Sequence, residues 1–302
     1  MIFVRCRPKL FRYVAHGLLH ENFYNRARPR QGKEFSPLCV MIESVQNPAV
    51  KRVVKLRRAR VRRNEGLFIV EGHREIGVAM SADATLNEVF FCRQLFRDEK
   101  QEDLLAALWK QGVTLIEMAQ GPFEKISMRE GPDGLLALVP TWETSLESLA
   151  LGENALVLVI AGIEKPGNLG AVLRSAEAFG VNALLCVDPQ LDLFNPNVVR
   201  ASQGLLFRVP TALCEQRAAL DFLHRRNLRA FASSAHCEKP LWDVDFKGGV
   251  AIVLGNEANG LDPVWIENAD ERLTIPMQGK ANSLNLSVAA GCLLAEAHRQ
   301  RR

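Results

Sequence analysis

Apolar residues fall into two stretches in which patterns typical of strands alternate with patterns typical of helices. In the first stretch, short apolar runs at residues 67–70, 88–92 and 135–139 have the length of strands, and residues 103–109 have the spacing of an amphipathic helix. This alternation predicts a small α/β domain.

The second stretch opens with residues 155–163, which are mostly Val, Leu, Ile and Ala. Further strand and helix patterns follow at 183–187, 219–226, 229–233, 250–254, 272–275 and 284–299. Continuous apolar strands are typical of a parallel sheet that is covered on both faces. Ligands of such sheets bind in loops beyond the carboxyl ends of the strands, so we look for chemistry in the residues that follow each strand.

The two stretches are separated by residues 141–154, which are polar and have no sustained apolar period. We therefore expect domains at 41–140 and 155–302, with 141–154 as the linker. Residues 1–40 are rich in arginine and have little hydrophobic periodicity, which predicts a leader outside the fold. A disordered tail or an overlong reading frame is favoured over a mitochondrial targeting segment, which has a similar composition.

Charge is unevenly distributed along the chain, although the formal net charge is only +4. Residues 50–63 contain lysine and arginine but no acidic residue. At helical spacing Lys51, Lys55, Arg58 and Arg62 share one face, opposite an apolar face, which predicts an amphipathic helix that binds nucleic-acid phosphates. The alternative is an ordinary solvated helix surface.

The composition also excludes several classes of protein. The seven cysteines are dispersed and form no C-x-x-C pair, so neither a zinc site nor a disulfide framework is expected. No apolar run reaches the roughly 18 residues of a membrane span. We expect a protein without metal or membrane anchor in the reducing cytoplasm, with the mitochondrial matrix as the alternative.

Three loops after predicted strands carry candidate chemical groups. In the first, Pro166 and Gly167 form a turn, Asn168 is placed to cap a helix, and Arg174 points away from the apolar face of that helix. On residues alone, Arg174 is equally well explained as a solvated side chain paired with Glu177.

The second loop, residues 254–261, contains Gly255, which permits close backbone approach, and Asn256 and Glu257, which offer polar contacts. The third, residues 275–287, leads into the last helix, for which Ser283 is a plausible cap. Neither a G-x-G-x-x-G nor a Walker sequence occurs, so a dinucleotide or nucleoside triphosphate enzyme has no support.

In their order and spacing, the three loops resemble the three motifs of SpoU-type (TrmH-like) RNA 2′-O-ribose methyltransferases of the SPOUT superfamily. The resemblance covers residues 151–302. It extends upstream, because residues 44–48, Glu71-Gly72 and residues 134–137 are similar to the substrate-binding domain of many such enzymes, which itself resembles a ribosomal protein that binds kinked RNA.

The resemblance implies an α/β fold whose C-terminal parallel-sheet SPOUT domain contains a deep trefoil knot, preceded by a small α/β RNA-binding domain. It implies S-adenosyl-L-methionine as cofactor and a homodimer formed through the C-terminal domain. The implied cofactor-binding residues are Ser233, Gly255, Ile275, Met277 and Leu284. The implied catalytic residues are Arg174, Asn168, Glu257, Ser283 and Asn285.

The implied reaction transfers a methyl group to a ribose 2′-hydroxyl. Arginine is a poor base at neutral pH, so we expect Arg174 to stabilise charge while the other catalytic residues orient the ribose and the loops. The two-domain layout favours ribosomal RNA over transfer RNA. A catalytically inactive RNA-binding or ribosome-assembly factor, a transfer RNA ribose methyltransferase and a base methyltransferase remain as alternatives, and the sequence does not identify the target nucleotide.

Overall fold

The computed structural model describes residues 41–256, 259–280 and 282–302. The expected leader, residues 1–40, and the candidate Glu257 lie outside these described residues.

The first of two sheets is formed by residues on the N-terminal side of the polar segment 141–154. It contains β1 (Leu67–Glu71), β2 (Glu88–Phe91), β3 (Thr114–Glu117) and β4 (Leu135–Pro140) in the order β1-β4-β2-β3. β4 is antiparallel to both neighbours, and β2 pairs with β3 in parallel. Its helices are α1 (Pro48–Lys55), α2 (Ala59–Glu65), α3 (His73–Ser81), α4 (Lys100–Lys110) and α5 (Gln120–Ile126).

The second sheet has six strands in the order β10-β8-β9-β5-β6-β7, and every pairing is parallel. The strands are β5 (Leu156–Ala161), β6 (Ala183–Val187), β7 (Thr211–Cys214), β8 (Arg229–Ser233), β9 (Val250–Leu254) and β10 (Glu271–Leu273). The predicted parallel sheet is confirmed. β7 was not predicted from the sequence, because it is short and contains no continuous Val/Ile/Leu run.

Helices cover both faces of this sheet, as its apolar strands require. They are α6 (Pro166–Ala178), α7 (Pro196–Ala201), α8 (Gln216–Arg225), α9 (Pro263–Glu267) and α10 (Leu286–Gln300). Buried residues of α6, α7 and α10 pack on one face, and those of α8 and α9 pack on the other. α7 and α9 were not predicted either, because they are too short for a helical period to stand out.

Aromatic side chains join the two halves of the molecule. Phe68 of β1 lies 5.0 Å from Phe194 and 5.7 Å from Trp142, measured between ring centroids. Trp142 also contacts Phe207, so residues from both sheets and from the predicted linker form one apolar cluster. The two sheets are therefore held together through a shared core. The trefoil knot stays a prediction.

The basic segment, residues 50–63, was predicted to form one amphipathic helix, but in the structure it is divided between two helices. α1 ends at Lys55 and α2 begins at Ala59, so the chain turns between them. This turn directs Arg62 inward, where it is 2% exposed. Its guanidinium donates to the carbonyl oxygens of Leu56 and Arg57 and to the carboxylate of Asp192. The expectation that Arg62 lies on an exposed phosphate-binding face is wrong, because its charge is committed to this buried network.

None of the described helices has the length and apolar character needed to span a membrane. Over the same residues, no group of three or more His, Cys, Asp or Glu is arranged to hold a metal ion.

Candidate cofactor cavity and active site

A cavity of about 330 Å³ opens at the carboxyl ends of β8, β9 and β10, where ligands of parallel sheets bind. All five residues that the resemblance assigned to the cofactor line it: Ser233, Gly255, Ile275, Met277 and Leu284. Ser233 is the last residue of β8, Gly255 follows β9, and the other three lie between β10 and α10. The fold therefore brings together residues that are more than fifty positions apart in the sequence.

The neighbouring backbone leaves room only for glycine at position 255. A Cβ atom at position 255 would lie 2.0 Å from the carbonyl oxygen of Gly260 and 2.4 Å from the backbone nitrogen of Leu261. The loop folds back tightly, and the backbone nitrogen of Gly260 donates to the carbonyl oxygen of Asn256 at 3.1 Å. Glycine at 255 therefore sets the shape of the cavity wall.

Asn285 connects the third loop to the first. Its side-chain nitrogen donates to Oδ1 of Asn168 over 3.4 Å. Its Oδ1 accepts from the backbone nitrogen of Ser287 and so caps α10, which corrects the prediction that Ser283 is the cap. Ser283 instead lines the cavity.

The prediction that Asn168 caps its helix is also wrong. α6 begins two residues earlier, at Pro166, because proline favours the first helical position. Asn168 therefore lies in the first turn of α6, in contact with Asn285. The apolar face predicted for this helix is confirmed, since Leu169, Val172 and Leu173 are fully buried.

Arg174 lies on the exposed side of α6 and is not part of the cavity lining. Among the ion pairs of the described residues, none joins Arg174 to Glu177, the partner in the alternative interpretation. Arg174 is six residues from Asn168 along the same helix, so its position is fixed relative to the residue that contacts the third loop.

Several residues that line the cavity were not singled out from the sequence: Ser234, His236 and Thr274. Each lies within a few residues of the end of β8 or β10. The rule that ligands lie beyond the strand ends would have found them had it been applied to every loop.

The lining matches the chemistry expected of S-adenosylmethionine, which carries a positive sulfonium. Leu254, Ile275, Leu284 and Leu286 offer apolar surface, and Ser233 and Thr274 offer hydroxyl groups. No lysine or arginine of the described residues lines the cavity, so no fixed cation opposes the sulfonium.

Family models match both halves of the chain. Residues 155–295 match the SpoU rRNA Methylase family, and residues 47–137 match the MRM3-like substrate binding domain. The chain is 39% identical over 176 residues to the 23S rRNA (guanosine-2′-O-)-methyltransferase RlmB of Xylella fastidiosa, covering 57% of this chain and 71% of that protein. The chain belongs to the SpoU rRNA methylase family.

Solved structures agree with SpoU membership over most of the chain. A crystal structure of an RNA 2′-O ribose methyltransferase is 39% identical, with a TM-score of 0.77, and the match covers 86% of this chain and 99% of that one. The SpoU methyltransferase AviRb of Streptomyces viridochromogenes, in complex with AdoMet, is 27% identical with a TM-score of 0.76. That match covers 84% of this chain and 98% of AviRb. The predicted enzyme class is confirmed: this is a SpoU-type RNA methyltransferase that uses S-adenosylmethionine.

Proposed function

We propose that this SpoU protein methylates a ribose 2′-hydroxyl in ribosomal RNA. The observation that carries the proposal is the cavity in which the loops after β8, β9 and β10 meet, joined through Asn285 to Asn168 of α6. The similarity to RlmB, whose name states a 23S ribosomal RNA substrate, supports the choice of RNA.

S-adenosylmethionine supplies a methyl group that is already activated on a sulfonium. Ser233, Gly255, Ile275, Met277 and Leu284 would hold it against the carboxyl edge of the sheet. The chain must then align a ribose hydroxyl and lower the cost of the negative charge that develops on its oxygen.

We assign the charge role to Arg174, whose exposed guanidinium can reach RNA rather than the protein core. Ser283 lies at the cavity and Asn168 contacts Asn285, so these three side chains are assigned to orienting the ribose and the loops. We assign Glu257 to the same role of orienting the ribose and the loops.

RNA would also be held by an exposed basic surface at α1, formed by Lys51, Lys55 and Arg58. None of the three joins an ion pair with another described residue, whereas Arg52 between them pairs with Glu65 and Glu88. Their charges therefore remain available for phosphate.

A homodimer through the C-terminal domain is the proposed assembly. Val288, Cys292 and Ala295 form an exposed apolar stripe along α10. This stripe is separate from the buried face of the helix, which consists of Leu286, Ala290, Leu293, Leu294 and Ala297. An apolar stripe left exposed on the helix that leaves the cavity is suited to pairing with a second copy.

Mapping ribose methylation in ribosomal RNA from a deletion strain tests the proposal. We expect one 2′-O-methyl group to disappear and to return when the wild-type chain is expressed. An unchanged ribosomal pattern, with loss of a methyl group from transfer RNA, would move the substrate to transfer RNA. Unchanged methylation in both RNAs would favour an inactive assembly factor.

A further inference from the structure

We propose that a hollow between the two halves of the molecule binds a phosphodiester of the substrate RNA and so fixes its distance from the active site. This proposal rests on the proposed function. It concerns a place distinct from the basic surface at α1 and from the cofactor cavity.

The hollow measures about 670 Å³ and has walls from both halves. Arg74 of α3 and the residues Arg129 and Asp133 of the loop before β4 form one wall. Arg200 of α7 and Gln203, which follows that helix, form the other. A ligand bound here would contact both the substrate-binding half and the methyltransferase half.

The first wall is held rigidly by buried charges. Glu75 is 4% exposed and accepts a hydrogen bond from Arg129 at 2.6 Å. Arg129 also donates to the carbonyl oxygen of Glu71, whose carboxylate accepts from Ser127 and Met128. Arg129 is therefore committed to the protein and acts as a support for the loop.

Arg74 and Arg200 differ from Arg129, because both are exposed and neither forms an ion pair within the described part of the chain. Asp133 forms no ion pair with either arginine among the described residues, and its Oδ2 accepts from the backbone nitrogen of His73 at the start of α3. Two uncommitted guanidinium groups on opposite walls suit an anion with several oxygens, and arginine forms bidentate contacts with phosphate.

Polar atoms in the wall also lack partners. Oε2 of Glu75, Nε of Arg129 and Oδ1 of Asp133 are buried and accept or donate no hydrogen bond among the described residues. Buried polar groups are usually satisfied, so the two carboxylate oxygens require a donor and the guanidinium nitrogen requires an acceptor. A ribose hydroxyl beside the bound phosphate can both donate and accept, which suits RNA.

The wall of the hollow that carries Arg200 packs against α6, the helix that carries Arg174. A Cβ at Gly170 of α6 would lie 2.3 Å from the Cβ of Ala201, which directly follows Arg200. Gly170 and Arg174 are one turn apart and so lie on the same side of α6. A Cβ at Gly204 would likewise lie 3.1 Å from the backbone of Glu75, so the two walls are in close contact. A phosphate held at Arg200 is thus at a fixed offset from Arg174.

The test compares Arg74→Gln, Arg200→Gln and the double variant with the wild type. The matched control is Arg225→Gln with Arg226→Gln, which removes two exposed arginines at the end of α8, on the opposite face of the sheet. For each protein we would measure RNA affinity against salt concentration, the KM and kcat of methyl transfer to ribosomal RNA, and S-adenosylmethionine affinity by calorimetry.

We expect the double variant to raise KM for RNA on the order of tenfold and to reduce the slope of log affinity against log salt by about one. Cofactor affinity and kcat at saturating RNA should stay at the wild-type value, because Arg74 and Arg200 bind a phosphate away from the cofactor cavity and from the reacting atoms. Glu130→Gln should tighten RNA binding, since this exposed rim carboxylate repels phosphate.

The outcomes separate the two proposals. If the wild type methylates RNA and the double variant matches the α8 control in KM and salt slope, the hollow has no role and the proposed function stands. If the salt slope falls in the double variant but the wild type transfers no methyl group, the hollow binds RNA and the proposed function is wrong. Weaker RNA binding by Glu130→Gln would contradict an anion in the hollow.

Discussion

The side-chain nitrogen of Asn285 lies 3.4 Å from Oδ1 of Asn168, and the oxygen of the same Asn285 amide caps α10. One side chain therefore both begins the last helix and links it to α6. Because Leu284 and Leu286 on either side of Asn285 line the candidate cofactor cavity, this hydrogen bond connects the cavity to the helix that carries Arg174.

Two substitutions separate these roles of Asn285. Asn285→Ala should lower the free energy of unfolding by about 1 kcal/mol, because the cap is removed. Asn285→Asp keeps a capping oxygen but cannot donate to Asn168, so it should unfold like the wild type and still transfer methyl groups slowly. Denaturant unfolding and single-turnover transfer would be measured on both. A wild-type rate in Asn285→Asp would show that the hydrogen bond to Asn168 is unimportant.

Gly255→Ala should abolish S-adenosylmethionine binding. The new methyl group would overlap the backbone at Gly260, so the loop that lines the cavity must move. Gly167→Ala is the control, since a Cβ there meets nothing within 4 Å. Calorimetry on both variants, with thermal unfolding on the same samples, checks the prediction. Unchanged cofactor affinity in a folded Gly255→Ala protein would mean that the cavity is not the cofactor site.

Arg62 should be needed for stability. Arg62→Gln leaves Asp192 with no guanidinium and removes the donor to two carbonyl oxygens, so we expect a loss of roughly 3–5 kcal/mol in the free energy of unfolding. Arg58→Gln, on the exposed surface nearby, should change it little. Chemical denaturation of the two variants decides the point, and equal stability would contradict the buried network.

The basic surface at α1 should contribute RNA affinity. Changing Lys51, Lys55 and Arg58 together to Gln should reduce the salt dependence of RNA binding, by about one unit of slope for each phosphate that the protein no longer neutralises. Cofactor binding should not change, because the cavity lies in the other half of the molecule. An unaltered salt dependence of RNA binding would show that these three side chains contact solvent and not RNA.

Arg174 should determine rate without affecting folding. Arg174→Ala should keep cofactor affinity and slow methyl transfer by on the order of a hundredfold, the scale for one preorganised charge stabiliser. Arg174→Lys should also be slow, because lysine lacks the planar two-point grip on oxygen atoms. Glu177→Gln, one turn away, is the control. Wild-type transfer by Arg174→Ala would favour a merely solvated arginine.

Much of the fold follows from the sequence because its strands are buried on both faces. The runs at 155–163 and 250–254 are apolar throughout, and only a central parallel strand requires that. β7 and α7 were not predicted, because short elements depend on the sheet and helices around them more than on their own sequence pattern. The same holds for the turn between α1 and α2, which is stabilised by the distant Asp192.

For the site, the five residues that the family resemblance assigns to the cofactor line one cavity, whereas both helix caps predicted from local sequence were wrong. A polar residue near a turn suits a cap in either case, and only the backbone path decides between Ser283 and Asn285. The prediction that Arg62 is exposed was wrong for a similar reason. Helical spacing shows which residues share a face of a helix, but the burial of that face depends on what packs against it.

The chemical position of the transferred methyl group decides whether this protein is a ribose methyltransferase. Ribosomal RNA lacking the modification would be incubated with wild-type protein and S-adenosylmethionine labelled in its methyl group, and then hydrolysed with alkali. A 2′-O-methyl group blocks cleavage of the adjacent phosphodiester, so we expect the label in alkali-resistant dinucleotides with the wild type, and on the order of a hundredfold less of it with Arg174→Ala after the same short incubation. Label recovered in mononucleotides would place the methyl group on a base and contradict ribose methylation.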